Sequence, residues 1–168
     1  MAILTVNEFT TLKNISKKIN TARIEQAISY AENVDLRDYL GNFYFDVVSN
    51  KAVLAWQELM DGSIFSVDSE SYIHEGLKQL IADLAYARYV ATSNTEDTAF
   101  GLVSKDNDNS TPLERNQIKD IISQVQRDAD AMFTLINLYL EQNTTLFSRY
   151  CKGDDPNINT FTQRFDVI

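Results

Sequence analysis

The sequence predicts an all-α fold: an elongated helical bundle with one long C-terminal helix (about 113–142) and an extended loop or arm (about 92–112). Apolar residues recur at the i, i+3, i+4, i+7 spacing of one helical face in segment after segment. Neither proline nor glycine interrupts the stretch from Leu113 to Gln142. Only Ser63 to Val67 alternates polar and apolar side chains as a strand does, and five residues are a thin basis for one. A length of 168 residues suits one domain. The organisation expected is a helical domain over 1–152 that carries the arm, and a C-terminal tail over 153–168.

Thr5 followed by Glu8 is a capping-box pattern, which places a short helix over about Val6 to Leu12. Asn20 or Thr21 caps the next, where Ile24, Ala27, Ile28 and Ala31 share a face. Asp35 is expected to cap a further helix, whose stripe Leu36, Tyr39, Leu40, Phe43 and Val47 runs past Gly41, a residue that can break it into two pieces. Ala52 to Met60 reads as a helix holding the only tryptophan, Trp56, and stopping at Asp61 and Gly62, because glycine tolerates a left-handed turn. Ser71 is expected to cap a central helix running to about Ala91, with Leu77, Leu80, Ile81, Leu84 and Ala85 on one face.

Thr92 to Pro112 breaks the pattern. It is rich in Ser, Thr, Asn and Asp but holds an apolar island, Phe100, Gly101, Leu102 and Val103. Loops this long tend to be functional or disordered, and a solvated linker has no use for such side chains. Phe100, Leu102 and Val103, with Lys105 beside them, are therefore candidates for an arm pairing with another chain. Pro112 then sits where a first-turn proline is tolerated. In the long helix the stripe from Ile118 through Ile122, Ala129 and Ile136 to Leu140 is unbroken, and beyond Asp130 Leu135, Leu138 and Tyr139 make nearly every side apolar. That half must be wrapped by its own chain or by a neighbour. Thr144 or Thr145 can cap a last helix to about Cys151, before Gly153 and Pro156 end regular structure.

Fifteen basic against twenty-four acidic side chains leave a formal charge of -9, which opposes a general grip on nucleic acid. The charge is uneven. Lys13, Lys17, Lys18 and Arg23 fall in a stretch without one acid, which suits docking on an acidic partner as well as a plain solvated turn. Phe161, Phe165, Val167 and Ile168, spaced along the polar tail, are further candidates for partner docking. A single cysteine, Cys151, excludes an intrachain disulfide and fits a reducing compartment. No apolar run approaches the roughly 20 residues that cross a bilayer, and Met1 to Leu12 lacks the pattern of a secretion signal. A cytoplasmic protein without a membrane partner is expected.

The inventory for catalysis is poor, and no enzyme and no cofactor is expected. His74, the only histidine, is followed by Glu75 but lacks the second histidine of a helical zinc site, and a triad with Ser69 or Ser71 has nothing to mark its nucleophile. Asp106, Asp108 and Ser110 imitate a calcium loop but put Thr111 in place of the glycine and Gln117 in place of the closing carboxylate. Asp155, Asn157, Asn159 and Asp166 come closer, yet Thr160 replaces the glycine. No glycine-rich phosphate loop exists among five scattered glycines.

One ordered set of features has a counterpart. An N-terminal stripe ends in Asp35, Leu36, Arg37, Asp38, Tyr39, Leu40, Gly41, Asn42, Phe43 and Tyr44. A central segment runs from Gly76, Leu77 and Lys78 to Ala85, Tyr86, Ala87, Arg88 and Tyr89; then come Phe100 to Lys105, Ser110 and Pro112, and a long helix closing near Tyr150. Over roughly residues 5–150 this resembles the head-tail connector (adaptor, or head-completion) proteins of tailed bacteriophages, particularly the crAss-like phages of Bacteroides. The tail after Gly153 and the basic stretch from Lys13 to Arg23 have no counterpart in it.

The resemblance implies a non-enzymatic virion subunit, made in the host cytoplasm, that assembles with itself, typically as a twelve-membered ring. Such a ring sits beneath the portal protein, meets a tail or second-ring protein, and continues a channel through which DNA passes without specific binding. An acidic surface suits such a conduit. The alternative is a helical adaptor or regulator, monomeric or dimeric, that binds one host or phage protein through the same apolar arm.

Overall fold

The reciprocal cap at Thr5 and Glu8 is formed, and with it α1 (Val6–Leu12). In the computed structural model, residues 2–13, 15, 20–93, 95–98, 101–104 and 114–150 are described. Asn20 caps α2 (Thr21–Tyr30), its side chain accepting from the amides of Ala22 and Arg23. The chain then widens into a π-helical turn, Ala31–Asp35, before α3 (Leu36–Leu40). The Asp35 side chain, expected to cap that helix, makes no such cap and binds Arg88. Gly41, at φ 54°, opens a 3₁₀ turn that separates α3 from α4 (Tyr44–Asn50). The π turn points Glu32 inward, where one carboxylate oxygen accepts from the backbone N–H groups of Ile3 and Leu4 at 2.7 and 2.8 Å. That bond holds the start of the chain against α2.

The helix expected over Ala52 to Met60 begins later. A 3₁₀ turn, Leu54–Trp56, leads into α5 (Gln57–Asp61). Beyond Gly62 the structure departs further from the expected all-α class. β1 (Ser63–Val67) pairs antiparallel with β2 (Glu70–His74), so the segment from Ser71 to His74 is strand and not the first turns of a helix. The two-residue loop between them, Asp68 and Ser69, has positive φ at both positions, the geometry that matches the twist of a hairpin. The central helix α6 starts at Gly76 and runs to Ser93.

A second departure concerns the arm over 92–112. Thr95–Thr98 and Gly101–Ser104 pair as strands β3 and β4 of a second hairpin, which replaces the single extended arm. The fold is thus mixed α/β, with two two-stranded antiparallel sheets among the helices of the described residues. A pattern of period two over five residues is outweighed by its neighbours' helical spacing when read alone, and pairing with a partner strand supplies what the local signal lacks.

α7 (Arg115–Gln142) does not close a helical bundle by itself. It lies against α6 and, near its C-terminal end, against β2. α6 is central: Leu77, Leu80, Ile81, Ala82 and Ala85 are fully covered, and it meets α2, α5, α7 and the π turn. The apolar end of α7 is wrapped by its own chain, through the first hairpin and through Phe147 in the turns that follow Asn143. Those turns stand where a last helix from Thr144 was expected. Ion pairs tie the layers together: Lys13 with Asp83, Lys78 between Glu8 and Asp61, and Arg88 with Asp35.

Candidate functional site

His74 is the natural first test for chemistry. It ends β2 with 1% of its surface exposed, and the register sets Ser63 directly opposite. Ser63 Oγ lies 3.0 Å from His74 Nε2, a partner that neither Ser69 nor Ser71 provides. The rest of a relay is missing. Among the described residues Nδ1 has no hydrogen-bond partner, and the nearby Glu58 carboxylate accepts instead from the Tyr139 hydroxyl at 3.0 Å. The imidazole lies tilted against the Tyr139 ring, centres 4.3 Å apart, and packs edge-on with Phe65. A catalytic imidazole needs its second nitrogen oriented by an acid and a path to substrate; here the ring is packed as a core element.

Burial pushes the His74 imidazole below its ordinary value of 6.5, with Glu58 pulling weakly the other way. Below pH 6.5 the unfolded chain takes up a proton that the native ring resists, so its contribution to stability is complete above 6.5 and is lost as pH falls through the native value. His74→Phe keeps the ring packing and removes the titration. Thermal midpoints measured between pH 7.5 and 5 should fall less steeply with acidity in the variant than in the wild type. Parallel slopes would mean that His74 is not held neutral by burial.

Titration elsewhere follows the packing. Burial and the Glu58 carboxylate push Tyr139 up to about 12. Against the effect of its partial burial, hydrogen bonds from Thr5 and Lys78 hold Glu8 down at about 2. Among the described residues no group of three or more metal-ligating side chains converges, and no helix is long and apolar enough to cross a membrane.

The outer side of the first hairpin is of a different kind. Phe65 and Tyr72 face inward as a cross-strand pair, and Phe65 reaches Tyr139. Ile64 and Ile73, the next pair, therefore face outward, and they are 71% and 60% exposed. Leu54, at 86%, and Phe45, at 54%, are uncovered as well. Isolated exposed apolar side chains are ordinary, but two β-branched residues set directly opposite on one sheet face make a patch.

The residues singled out from sequence are dispersed. Lys13 is bound to Asp83 and partly buried, and Arg23 donates to the carbonyl of Thr92 at 3.2 Å, so neither is a free cation of a docking stretch. Leu102 and Val103 lie in β4, whose backbone is paired with β3. Lys17, Lys18, Phe100, Lys105, Phe161, Phe165, Val167 and Ile168 lie outside the described residues, as do Cys151 and the aspartates of both calcium-like stretches. Sequence reasoning missed Ile73, placed in a helix that is not there, and Phe45, which stands off the buried stripe of Phe43 and Val47. An apolar residue out of phase with its stripe was the available signal.

A model described as a family of unknown function, DUF6712, matches residues 36–160, well over half of the chain. The chain belongs to the DUF6712 family. The DUF6712 match takes in Phe45, both hairpins and α7, and leaves α1, α2 and the basic stretch from Lys13 to Arg23 outside. No curated protein and no solved structure matches the chain.

Proposed function

We propose that this chain is a structural virion protein, one subunit of an oligomeric ring that joins the portal to the tail of a tailed bacteriophage and continues the DNA channel. The observation that carries the proposal is the paired exposure of Ile64 and Ile73, with Leu54 and Phe45 also uncovered, on a chain whose core closes without them. Apolar area gains about 25 cal/mol per Å² when removed from water, so such a surface favours a standing assembly. The formal charge of -9 agrees with a conduit past which DNA slides without sticking.

The partners are copies of itself, in a ring that the likeness to connector proteins makes twelve-membered, with the portal protein on one side and a tail or second-ring protein on the other. The role is non-enzymatic and uses no cofactor; its place is the head-tail junction of the virion, after synthesis in the host cytoplasm. The deciding measurement is the native mass of the purified protein, alone and mixed with portal. A discrete multimer, alone or on the portal, is expected. A monomer or dimer that ignores portal at every concentration would remove the proposal in favour of a free helical adaptor.

A further inference from the structure

We infer that the contact between neighbouring copies is heterologous: the outer face of the first hairpin in one copy docks on the surface made by Val34, Arg37 and Phe45 in the next. The inference rests on the ring reading above and names its surfaces.

Both surfaces have an apolar centre, and their charged surroundings are opposite in sign. Beside Ile64 and Ile73 stand Asp68 in the hairpin loop and Glu75 just past β2, both exposed, and no lysine or arginine occurs from Asp61 to Leu77, while Glu70 shares the face of Tyr72, whose hydroxyl donates to it at 2.9 Å. Lys78, the next cation, is drawn back between Glu8 and Asp61 at 2.9 and 2.8 Å. The hairpin therefore offers a greasy, acidic face.

On the other surface Phe45 is exposed, the Arg37 guanidinium lies 5.3 Å from its ring centre, and Val34 is exposed one helical turn before Arg37. The acids of this stretch are withdrawn. Glu32 is buried and held by two amides, Asp35 is clamped by both arms of Arg88 at 2.6 Å, and Asp46 is paired with the exposed Arg149 at 2.8 Å. Asp38 is half-buried. Arg37 is thus left to set the sign, and an arginine over an aromatic ring is a pairing that interfaces favour.

Charge decides between the possible pairings. Hairpin against hairpin would bring carboxylates onto carboxylates, and the Phe45 surface against itself would bring guanidinium onto guanidinium; like charges set face to face cost several kcal/mol. Hairpin against Phe45 surface matches both chemistries. One copy can use both at once, because Phe65 and Phe43 turn inward to the same aromatic chain through Tyr139 and Phe147, so Ile64 and Phe45 look away from it. A contact between two different surfaces of identical copies propagates, and it closes into a ring when the rotation allows.

The test uses the full chain and two variants. Ile64→Asp with Ile73→Asp disables the hairpin face; Phe45→Asp disables the other, and Arg37→Glu serves in its place should Phe45→Asp fail to fold by circular dichroism. Each variant alone is expected to be monomeric by light scattering. Mixed one to one they should form a dimer and nothing larger, since a single live pair of surfaces remains. Phe45→Asp still assembling with itself would overturn the inference in favour of a hairpin-to-hairpin contact. Both variants assembling as the wild type does would overturn it while leaving the ring standing. A mixture that stays monomeric up to millimolar concentration also overturns it, and the portal measurement then judges the ring separately.

Discussion

Gly76→Ala is expected to cost the fold at least about 3 kcal/mol, among the largest effects of any single methyl group in this chain. Gly62 and Gly76, at φ 92° and 80°, close the two ends of the first hairpin against each other. A Cβ on Gly76 would stand 2.4 Å from the backbone nitrogen of Gly62, 2.5 Å from the carbonyl oxygen of Met60 and 2.7 Å from the carbonyl carbon of Asp61. Every one of these is backbone, so no side chain can swing aside, and the positive φ adds strain that a Cβ does not tolerate. At this chain length each kcal/mol moves the thermal midpoint by about 2 to 4 °C, so a drop of roughly 6 to 12 °C should appear in a melting curve. Gly62→Ala, whose Cβ would meet the carbonyl oxygen of His74 at 2.6 Å, should behave alike. A loss below about 1 kcal/mol in both would show that the hairpin ends do not touch.

Phe147→Ala is expected to cost about 3 to 5 kcal/mol. Phe147 lies outside any helix, in the turns after α7, yet it is fully buried. Its ring centre stands 5.0 Å from that of Trp56, 5.9 Å from Tyr139 and 6.1 Å from Phe43, which makes it the meeting point of α7 with the segments on either side of α4. Removing the ring leaves a cavity among stiff aromatic neighbours that cannot collapse to fill it. Urea unfolding should show the loss, and amide exchange should quicken at Leu146, Phe147 and Tyr150, whose amides bond to Asn143 and Phe147. Phe147→Leu should recover much of the stability, because an apolar side chain of similar reach fills most of the space. Equal losses for Ala and Leu would point to the ring edges, not the filled volume, as the source.

The hairpin that Gly62 and Gly76 close was the part least visible in the amino-acid order. Ser71, Tyr72, Ile73 and His74 show no alternation of polarity, Ser71 stands where a helix cap would, and the helical stripe of Leu77, Leu80 and Ile81 follows at once. Asp68 and Ser69 lack the glycine that announces a tight turn, so the reversal became evident only from their backbone angles. The second hairpin has the same history: Thr95–Thr98 is polar throughout, with no period to read. Phe147 was hidden for another reason, since residues after a helix carry no periodicity.

Of the candidate surface, Ile64 was legible as one face of an alternating run, whereas its exposure was not. Burial of a strand face depends on what packs over it, and that is set by Tyr139 far along the chain. Phe45 was readable as apolar and out of phase with Phe43 and Val47. Its place beneath the Arg37 guanidinium was not readable, because a pair eight residues apart across a glycine break meets only once α3 and α4 have turned.

Sequence by itself determined the local features: the cap at Thr5 and Glu8, a cap at Asn20 or Thr21, the break at Gly41, and the acidic balance. Each is an interaction between residues a few positions apart, or a sum over the chain, so no fold is needed to evaluate it. Tertiary structure alone decided which apolar side chains are core and which stay exposed, and which lysines and arginines are spent inside the molecule. Those outcomes hang on contacts between distant segments, whose loop-closure cost and shape complementarity no local pattern records.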